Sequence, residues 1–439
     1  MITNENKKLA QWAMGFALKN GCQASRVSLY NGSSSSFEIR DMKMDRLQQA
    51  SENSLVIQLY VDGRFGSFST NRLDKKELEN FIRNGIDSTR FLAEDKARTL
   101  PDASLYYKGG GADLQLIDPK FDSIQPDDKV ALAMNVCNEM MGKDSRIISA
   151  NSSYSDEKYF KYMISSNGFE GETASSYFSL VASVSIKGEG DARPESYWYD
   201  SSLYYDTLIK EGLGTKALER VLRKLGQKKV ASGKYQAVID NMNSARVLSP
   251  IIEAMYGSSI QQKNSFLLDK LDQKVLGSNV TLIDEPHLVK ASGARYFDNE
   301  GVATKRMPVF ENGVLKTYYI DTYSANKMGT KQTISSPSML TMQMGNKDTD
   351  ALIASVNKGI FITGFNGGNC NSTTGDFSYG VEGFLIEKGK LTQPISEMNV
   401  TGNMVSLWNN LVEVGNDPRK SSSWRIPGLL FDNVDFSGL

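Results

Sequence analysis

The sequence holds a single histidine in 439 residues. Histidine is the commonest zinc ligand and the usual general base near neutral pH. A Ser-His-Asp triad, a Cys-His dyad or a two-histidine zinc helix would have to use His287 or do without. His287 stands in Asp-Glu-Pro-His-Leu, beside a proline and two acids, a setting that reads as a turn. Most histidine-based hydrolytic sites are therefore excluded for this chain acting alone. Cysteine is almost as scarce: Cys22, Cys137 and Cys370 are far apart and in no paired motif. That argues against a disulfide framework and a four-cysteine zinc site, and it predicts reduced thiols in a cytoplasmic protein. No apolar run reaches the roughly 18 residues of a membrane span. The first apolar stretch is interrupted by Lys7, Lys8, Gln11 and Lys19, unlike a secretory leader. A formal net charge of −1 supplies no basic field for nucleic acid.

What is present is ordinary globular composition, 40% hydrophobic and 23% charged, in a length that suits two or three domains. Leu9, Trp12, Ala13, Phe16 and Ala17 repeat at helical spacing, and Gly21 suits the end of that helix. Strands are predicted over 26–30 and 36–41. A hairpin over 55–61 and 65–70 turns through Asp62-Gly63, and a helix capped near Asp74 covers 73–91. Residues 101–119, with Gly109–Gly111 and two prolines, read as a linker. A helix over 127–141 follows, then alternating strands over 146–155, 158–165 and 175–187, and a helix over 207–225 weakened at Gly212 and Gly214. Beyond a strand at 235–240 comes one helix, 245–255, capped by Asn243 or Ser244 and carrying Pro250 as a kink or first turn. Asn312-Gly313 marks a further hairpin. The expected fold class is α+β. It comprises an N-terminal α+β domain with mostly antiparallel sheet (1–115), a central α+β domain with an antiparallel meander (116–230), and a predominantly antiparallel, barrel- or sandwich-like β domain (231–439).

The glycine-rich stretch from Gly364 to Gly389 leads into an alternating strand, not a helix, so it reads as a turn or cleft-lining loop and not a phosphate cradle. Ser324 and Lys327 have a Ser-x-x-Lys spacing without the companion Lys-Thr-Gly, and read as a surface helix. Asp376 and Glu382 read as solvated turn acids. Cys370, without a base nearby in sequence, reads as an unreactive loop thiol.

Three blocks carry a more specific signal: NSFLLDKLDQKVLGSNVTLIDEP (264–286), GARYFDNEGVATKRMPVFENGVLKTYYIDTYSANKMG (293–329) and GGNCNSTTGDFSYGVEGFLIEKGKLTQPISEMNVTGNM (367–404). In order and spacing they resemble the TldD/PmbA family over roughly the C-terminal 200 residues. The resemblance implies a choice between two branches. TldD-like members are zinc metallopeptidases with a His-Glu-x-x-x-His helix and a later cysteine ligand, whereas PmbA-like (TldE) members lack the motif and pair with the TldD-like chain. Here Leu248, Ser249 and Glu253 occupy the motif's place, and Asp417 lies in the loop that replaces the cysteine-bearing one. With these ligands missing, nothing is left to hold zinc.

The resemblance therefore implies a PmbA/TldE-like, non-catalytic subunit with no metal or other cofactor of its own. Zinc would sit in a TldD-like partner, and the pair would act on unfolded peptides in peptide maturation or antitoxin degradation. No catalytic residue is expected in this chain. Asn369, Thr374, Gly375, Asp376, Phe377 and Ser378 are expected to line a cleft shared with the partner or peptide, with Asp376 bonded to loop amides and Phe377 packed beneath. The family's older label, modulator of DNA gyrase, finds no basic patch or nucleic-acid motif here, and no direct nucleic-acid or membrane partner is expected. Two other readings are a homodimeric peptide-binding or scaffolding protein, and an independent non-zinc hydrolase using a serine, Cys370 or carboxylates.

Overall fold

The structure, a computed structural model, describes residues 2–439. Helix α1 (Asn4–Lys19) starts where the Thr3 hydroxyl accepts from the Asn6 amide at 3.2 Å. It is followed by β1 (Ala24–Arg40), β2 (Lys43–Val61), β3 (Arg64–Thr70) and α2 (Lys75–Arg90). The β2–β3 hairpin turns through Asp62-Gly63 as expected, and Asp74 caps α2 by accepting from the Lys76 and Glu77 amides. The two short strands expected around 26–30 and 36–41 are one strand. The polar stretch between them, Asn31–Ser35, stays paired on both sides, with β2 and with β4, so hydrogen bonding carries the strand where apolar alternation stops.

The central elements are α3 (Pro126–Asn138), β4 (Ile147–Ser165), β5 (Glu170–Ile186), β6 (Glu195–Ser202) and α4 (Leu213–Leu222). The strands expected at 146–155 and 158–165 likewise merge into β4. Helix α4 starts later than expected, after Gly212 at φ 79°. The first and central segments share a single sheet, order β3-β2-β1-β4-β5-β6. Val27, Leu29, Tyr162 and Ile164 pack with α1 and α2; Phe37, Ile39, Tyr154, Phe178 and Leu180 pack with α3 and α4. Because side chains alternate along a strand, all four helices lie on one face. The other face is left for the rest of the chain.

Residues 101–119 are not the free linker their composition suggests. The segment is a strap: Ala303 donates to the Leu105 carbonyl at 2.9 Å, Lys290 to Leu114 at 2.8 Å and Ser176 to Leu116 at 2.9 Å. Tyr106 and Leu114 are buried along it. Glycine and proline mark only its turns, while its backbone polar groups are satisfied by both halves of the molecule.

The C-terminal half runs β7 (Gly233–Ile239), α5 (Ser244–Glu253), α6 (Gly257–Gln261), β8 (Leu282–Asp284), β9 (Met307–Glu311), β10 (Val314–Leu315), α7 (Thr322–Met328), β11 (Leu340–Met342) and α8 (Thr349–Ala354). It continues with β12 (Lys358–Cys370), β13 (Asp376–Glu387), β14 (Lys390–Asn403), α9 (Met404–Asn409), β15 (Leu411–Val414), β16 (Trp424–Arg425) and β17 (Leu429–Ser437). One sheet has the order β14-β13-β12-β7-β17-β15, and β14 also pairs with β17, so five strands close into a barrel-like ring. A smaller sheet, β10-β9-β8-β11-β16, packs into the same core. Pairing is antiparallel except for β7–β12 and β11–β16. Among the described residues no helix is long and apolar enough to cross a membrane.

One buried ion pair ties α3 to the sheet. Lys129 Nζ lies 2.6 Å from Asp156 Oδ2, with side chains 9% and 2% exposed. Ser35 (2.6 Å) and Tyr154 (2.8 Å) donate to the same carboxylate. Removing one partner leaves the other charge buried and uncompensated. Asp156→Ala should therefore destabilise the protein by about 3–5 kcal/mol in urea unfolding, and the double change Asp156→Leu/Lys129→Met should recover most of that loss. A loss below about 1 kcal/mol for Asp156→Ala would remove this pair from the account of stability.

Candidate functional site

Helix α5 buries Val247, Leu248, Ile251 and Ile252 in the barrel-side core. The indole of the buried Trp408 on α9 donates to the Val247 carbonyl at 3.0 Å. What remains outward is a polar stripe, Arg246, Ser249 and Glu253, at i, i+3 and i+7. Pro250 sits inside the helix without ending it. Asn243 stands at the N-cap, one of the two positions expected, but its side chain bonds no helix amide; it donates to Asp240 at 2.6 Å and to the Thr363 carbonyl at 2.9 Å.

The stripe faces the tip of the β12–β13 hairpin. Arg246 donates to the Gly368 carbonyl at 3.2 Å, and its guanidinium stands 4.7 Å from the centre of the Tyr379 ring. Ser249 donates to Glu253 at 2.8 Å. Burial, with Glu253 and Asp376 adding to it, pushes the Cys370 thiol up to about 11, so it is protonated at neutral pH and a poor nucleophile. At Gly368, φ is +87° and an added Cβ would lie 2.0 Å from the Ser378 carbonyl oxygen. Only glycine lets the strand bulge here and bring its backbone within reach of Arg246.

All six residues assigned to the cleft belong to this tip. Asn369 pairs with Ser378 across the hairpin and both are exposed. Gly375, at φ +82°, and Phe377 are buried, with Phe377 stacked on Tyr379 at 5.3 Å. Asp376 does not bond loop amides as expected. It accepts from the Thr374 hydroxyl at 2.7 Å and the Asn403 amide at 3.0 Å, which hold its carboxyl below the usual range. The loop is tied down a second time where Ser372 donates to Asn264 at 2.9 Å and Phe266 donates to the Ser372 carbonyl at 3.0 Å. Asn369, Thr374, Asp376 and Ser378 are exposed, so this side of the tip is open surface.

Beside the tip, two cavities of about 510 and 790 Å³ run between the barrel and the central sheet, sharing Pro194, Lys224, Asn366 and Glu382. Glu382, read from sequence as a solvated acid, is paired with Lys224 at 2.7 Å and largely shielded.

The structure does not bring all the degenerate motif positions together. Ser249 and Glu253 share the stripe, while Leu248, one residue before Ser249, is fully buried. Asp417 is committed elsewhere, accepting from the Thr349 amide (3.0 Å) and hydroxyl (2.7 Å) at the start of α8 and from the Gly428 amide (3.0 Å). The groups left on α5 are a hydroxyl and a carboxylate bonded to each other, beside a guanidinium. That set offers one carboxylate where a zinc site needs three or four thiolate, imidazole or carboxylate ligands. Among the described residues no three His, Cys, Asp or Glu side chains converge on one point.

The other sequence candidates are structural. Ser324 is buried and Lys327 is paired with Asp95 at 3.0 Å, so the Ser-x-x-Lys spacing carries no free amine. His287 Nε2 lies 3.1 Å from the Thr304 hydroxyl and its ring packs on Tyr296, and among the described residues no carboxylate is bonded to it. Arg246, Asn264, Asn403 and Tyr379 were not singled out from sequence. Arg246 had a signal in the polar stripe on an otherwise apolar helix, but the two asparagines act through long-range contacts with no local pattern.

The chain matches three family domains: PmbA/TldA metallopeptidase domain 1 over residues 26–89, the central domain over 119–225 and the C-terminal domain over 232–438. It is 25% identical to the Escherichia coli O157:H7 metalloprotease PmbA over 438 residues, covering 98% of this chain and 97% of that protein. It is 27% identical to a Haemophilus influenzae PmbA homologue, covering 99% and 96%. A crystal structure from Bacteroides thetaiotaomicron, described as a modulator of DNA gyrase, is 67% identical with a TM-score of 0.99 and full coverage of both chains. TldE from Thermococcus kodakarensis, at 17% identity and TM-score 0.84 over 98% of this chain and 100% of that one, shares the fold.

The turn from β7 into α5 depends on Asp240, which is buried and accepts from both the amide and the side chain of Asn243. Burial raises its carboxyl to about 6, despite opposing help from Asn243 and Arg220. An acid whose folded value is raised contributes stability that is complete below about pH 4 and is lost as pH rises through about 6. Asp240→Asn keeps the acceptor oxygen and removes the charge. Its stability relative to wild type should thus climb between pH 4 and pH 7, by up to about 3 kcal/mol, and then level off. Denaturation series at several pH values check this; a difference that stays flat overturns it.

Proposed function

Because the chain belongs to the PmbA/TldD metallopeptidase family, we propose that it is the non-catalytic, PmbA/TldE-like subunit of a two-chain zinc peptidase acting on unfolded peptides. The observation that carries this reading is the α5 stripe. Where a catalytic member would present its zinc ligands, this chain presents Arg246, Ser249 and Glu253, bonded to each other or to the hairpin and unsuited to the metal. A TldD-like partner supplies the zinc and the chemistry; this chain supplies a rigid wall. The β12–β13 tip, fixed by Asn264 and Asn403, is open on its outer side and becomes one side of a cleft when a partner covers it. Main-chain hydrogen bonding of an extended peptide in such a cleft is independent of its sequence, which suits peptide maturation and antitoxin turnover in the cytoplasm.

The test is reconstitution. The isolated chain should hold no stoichiometric zinc by elemental analysis and should not cleave an unfolded protein such as reduced casein. Mixed with a TldD-like chain bearing the His-Glu-x-x-x-His helix, it should yield an active complex with zinc bound to the partner. Cleavage by the isolated, metal-free chain would overturn the assignment.

Within that complex, Ser378 reports on the tip. It is exposed and its hydroxyl has no partner among the described residues. Ser378→Trp should lower peptide cleavage or partner affinity about tenfold or more while the melting temperature of the isolated chain stays within a degree or two, as for an ordinary surface change. Unchanged cleavage and affinity would remove the tip from the shared cleft.

A further inference from the structure

A cavity of about 760 Å³ lies between the helix-free face of the six-stranded sheet, the strap and the C-terminal half. It shares no lining residue with the α5 stripe or the hairpin tip. Its floor is set by strand register. Tyr159 and Lys161 of β4 point to the same face as their cross-strand partners Ser175 and Thr173 of β5, and Tyr177 extends the row. The walls mix polar groups with the aromatic and aliphatic side chains of Tyr107, Leu114, Tyr296 and Phe297.

The charged groups around the cavity are nearly all committed to the protein. Arg295 donates to Ser338 (3.0 Å), Ser336 (2.7 Å) and the Pro337 carbonyl (3.1 Å). Asp298 accepts from the amides of Glu300 (2.8 Å), Val302 (3.0 Å) and Ser335 (2.8 Å). Asp113 accepts from the Gln115 amide at 2.8 Å, and Glu172 is paired with Lys7. Lys161 is the exception. Among the described residues its ammonium makes no hydrogen bond and no ion pair, and the centre of the Tyr30 ring stands 5.7 Å away. The Tyr159 and Tyr177 hydroxyls are likewise without partners. Burial, together with Arg26 and Arg295, lowers the Lys161 ammonium to about 8, and Asp298 only partly offsets them. Lys161 is only partly exposed, and an ammonium without a charge partner on the cavity floor leaves its attraction for an anion unsatisfied.

We propose that this cavity binds a small organic oxyanion, a compact anionic group carried on an apolar or aromatic body, with Lys161 as charge partner and the Tyr159 and Tyr177 hydroxyls as donors. The volume is ample for a ligand of amino-acid to dipeptide size, and a mixed lining, with aromatic rings beside polar groups, can hold both the body and the charge of such a molecule. The proposal goes beyond the peptidase assignment and does not depend on it.

The experiment uses the full chain and three probes in calorimetric titration: N-acetylphenylalanine, its uncharged amide, and phenyl phosphate. N-acetylphenylalanine should bind, and its amide should bind at least about tenfold more weakly, as expected for loss of a charge-assisted contact. Tighter binding of phenyl phosphate supports the oxyanion site and assigns its source to a phosphate ester. Lys161→Met should weaken anion binding about tenfold or more, and Lys161→Arg should restore part of it. Tyr177→Phe, at a position 40% exposed and therefore safe for folding, should give a smaller loss and tests the same site if Lys161→Met fails to fold. Equal binding of acid and amide, no binding of either anion at the highest soluble concentration, or unchanged affinity in both Lys161→Met and Tyr177→Phe would overturn the proposal.

Discussion

The pairing of β1 with β4 is the constraint on which the rest of the molecule depends. It runs from Arg26↔Ser165 to Arg40↔Asn151 without a break and joins segments more than a hundred residues apart in the chain. Because side chains alternate, the register across β1, β4 and β5, shifted only at Ile147–Ser149, places the apolar set of all three strands on the same face. Helices α1 to α4 cover that face. A slip of one residue would turn Tyr154, Tyr162 and Phe178 outward and send Tyr159, Lys161 and Tyr177 into the helix layer. The loop-closure entropy of so distant a pairing is modest, since it grows only with the logarithm of loop length, and the strands' own apolar burial offsets it.

The C-terminal half is organised around α5 in a comparable way. The helix is apolar on the side that meets the barrel-side core and polar on the side that meets the hairpin tip, so packing alone decides which residues are presented. Trp408 holds it from below through the Val247 carbonyl, and Asn243 holds its start through Asp240 and Thr363. Substitutions confined to the outward stripe, at Arg246, Ser249 or Glu253, therefore need not disturb the fold, whereas Leu248, between Val247 and Ser249, belongs to the core.

Sequence periodicity was a good guide wherever structure is local. The Asp62-Gly63 and Asn312-Gly313 turns, the Asp74 cap and the alternation of β13 are all where short-range chemistry places them. It failed where partners far along the chain decide the outcome. The polar residues Asn31–Ser35 look like an interruption until two neighbouring strands are known to pair with them. The strap looks like a linker because glycine and proline dominate its composition, while the hydrogen bonds that fix it come from Ser176, Lys290 and Ala303. At the site, the family resemblance pointed to Ser249, Glu253 and the Gly-Asp-Phe-Ser tip, and the fold sets that stripe and that hairpin side by side. It also pointed to Asp417, which lies elsewhere. Counting along the loop locates a residue in sequence, but its carboxylate turned to the start of α8. The Lys161 cavity had no sequence signal at all, since its floor comes from strand register and its wall from residues near 295.

The ring of barrel strands has a consequence for synthesis. Strand β7 lies between β12 and β17, and β17 also closes against β14. β17 begins at Leu429, nearly two hundred residues after β7. As the polypeptide leaves the ribosome, the central sheet and its helices can assemble early. The barrel, and with it the platform under α5, stays open-edged until that late strand emerges. A product released before Leu429 would expose both β7 and β14 as unpaired strand edges, the feature that invites aggregation and proteolytic removal. The architecture thus completes the support under the α5 stripe and the hairpin tip only on chains translated through β17.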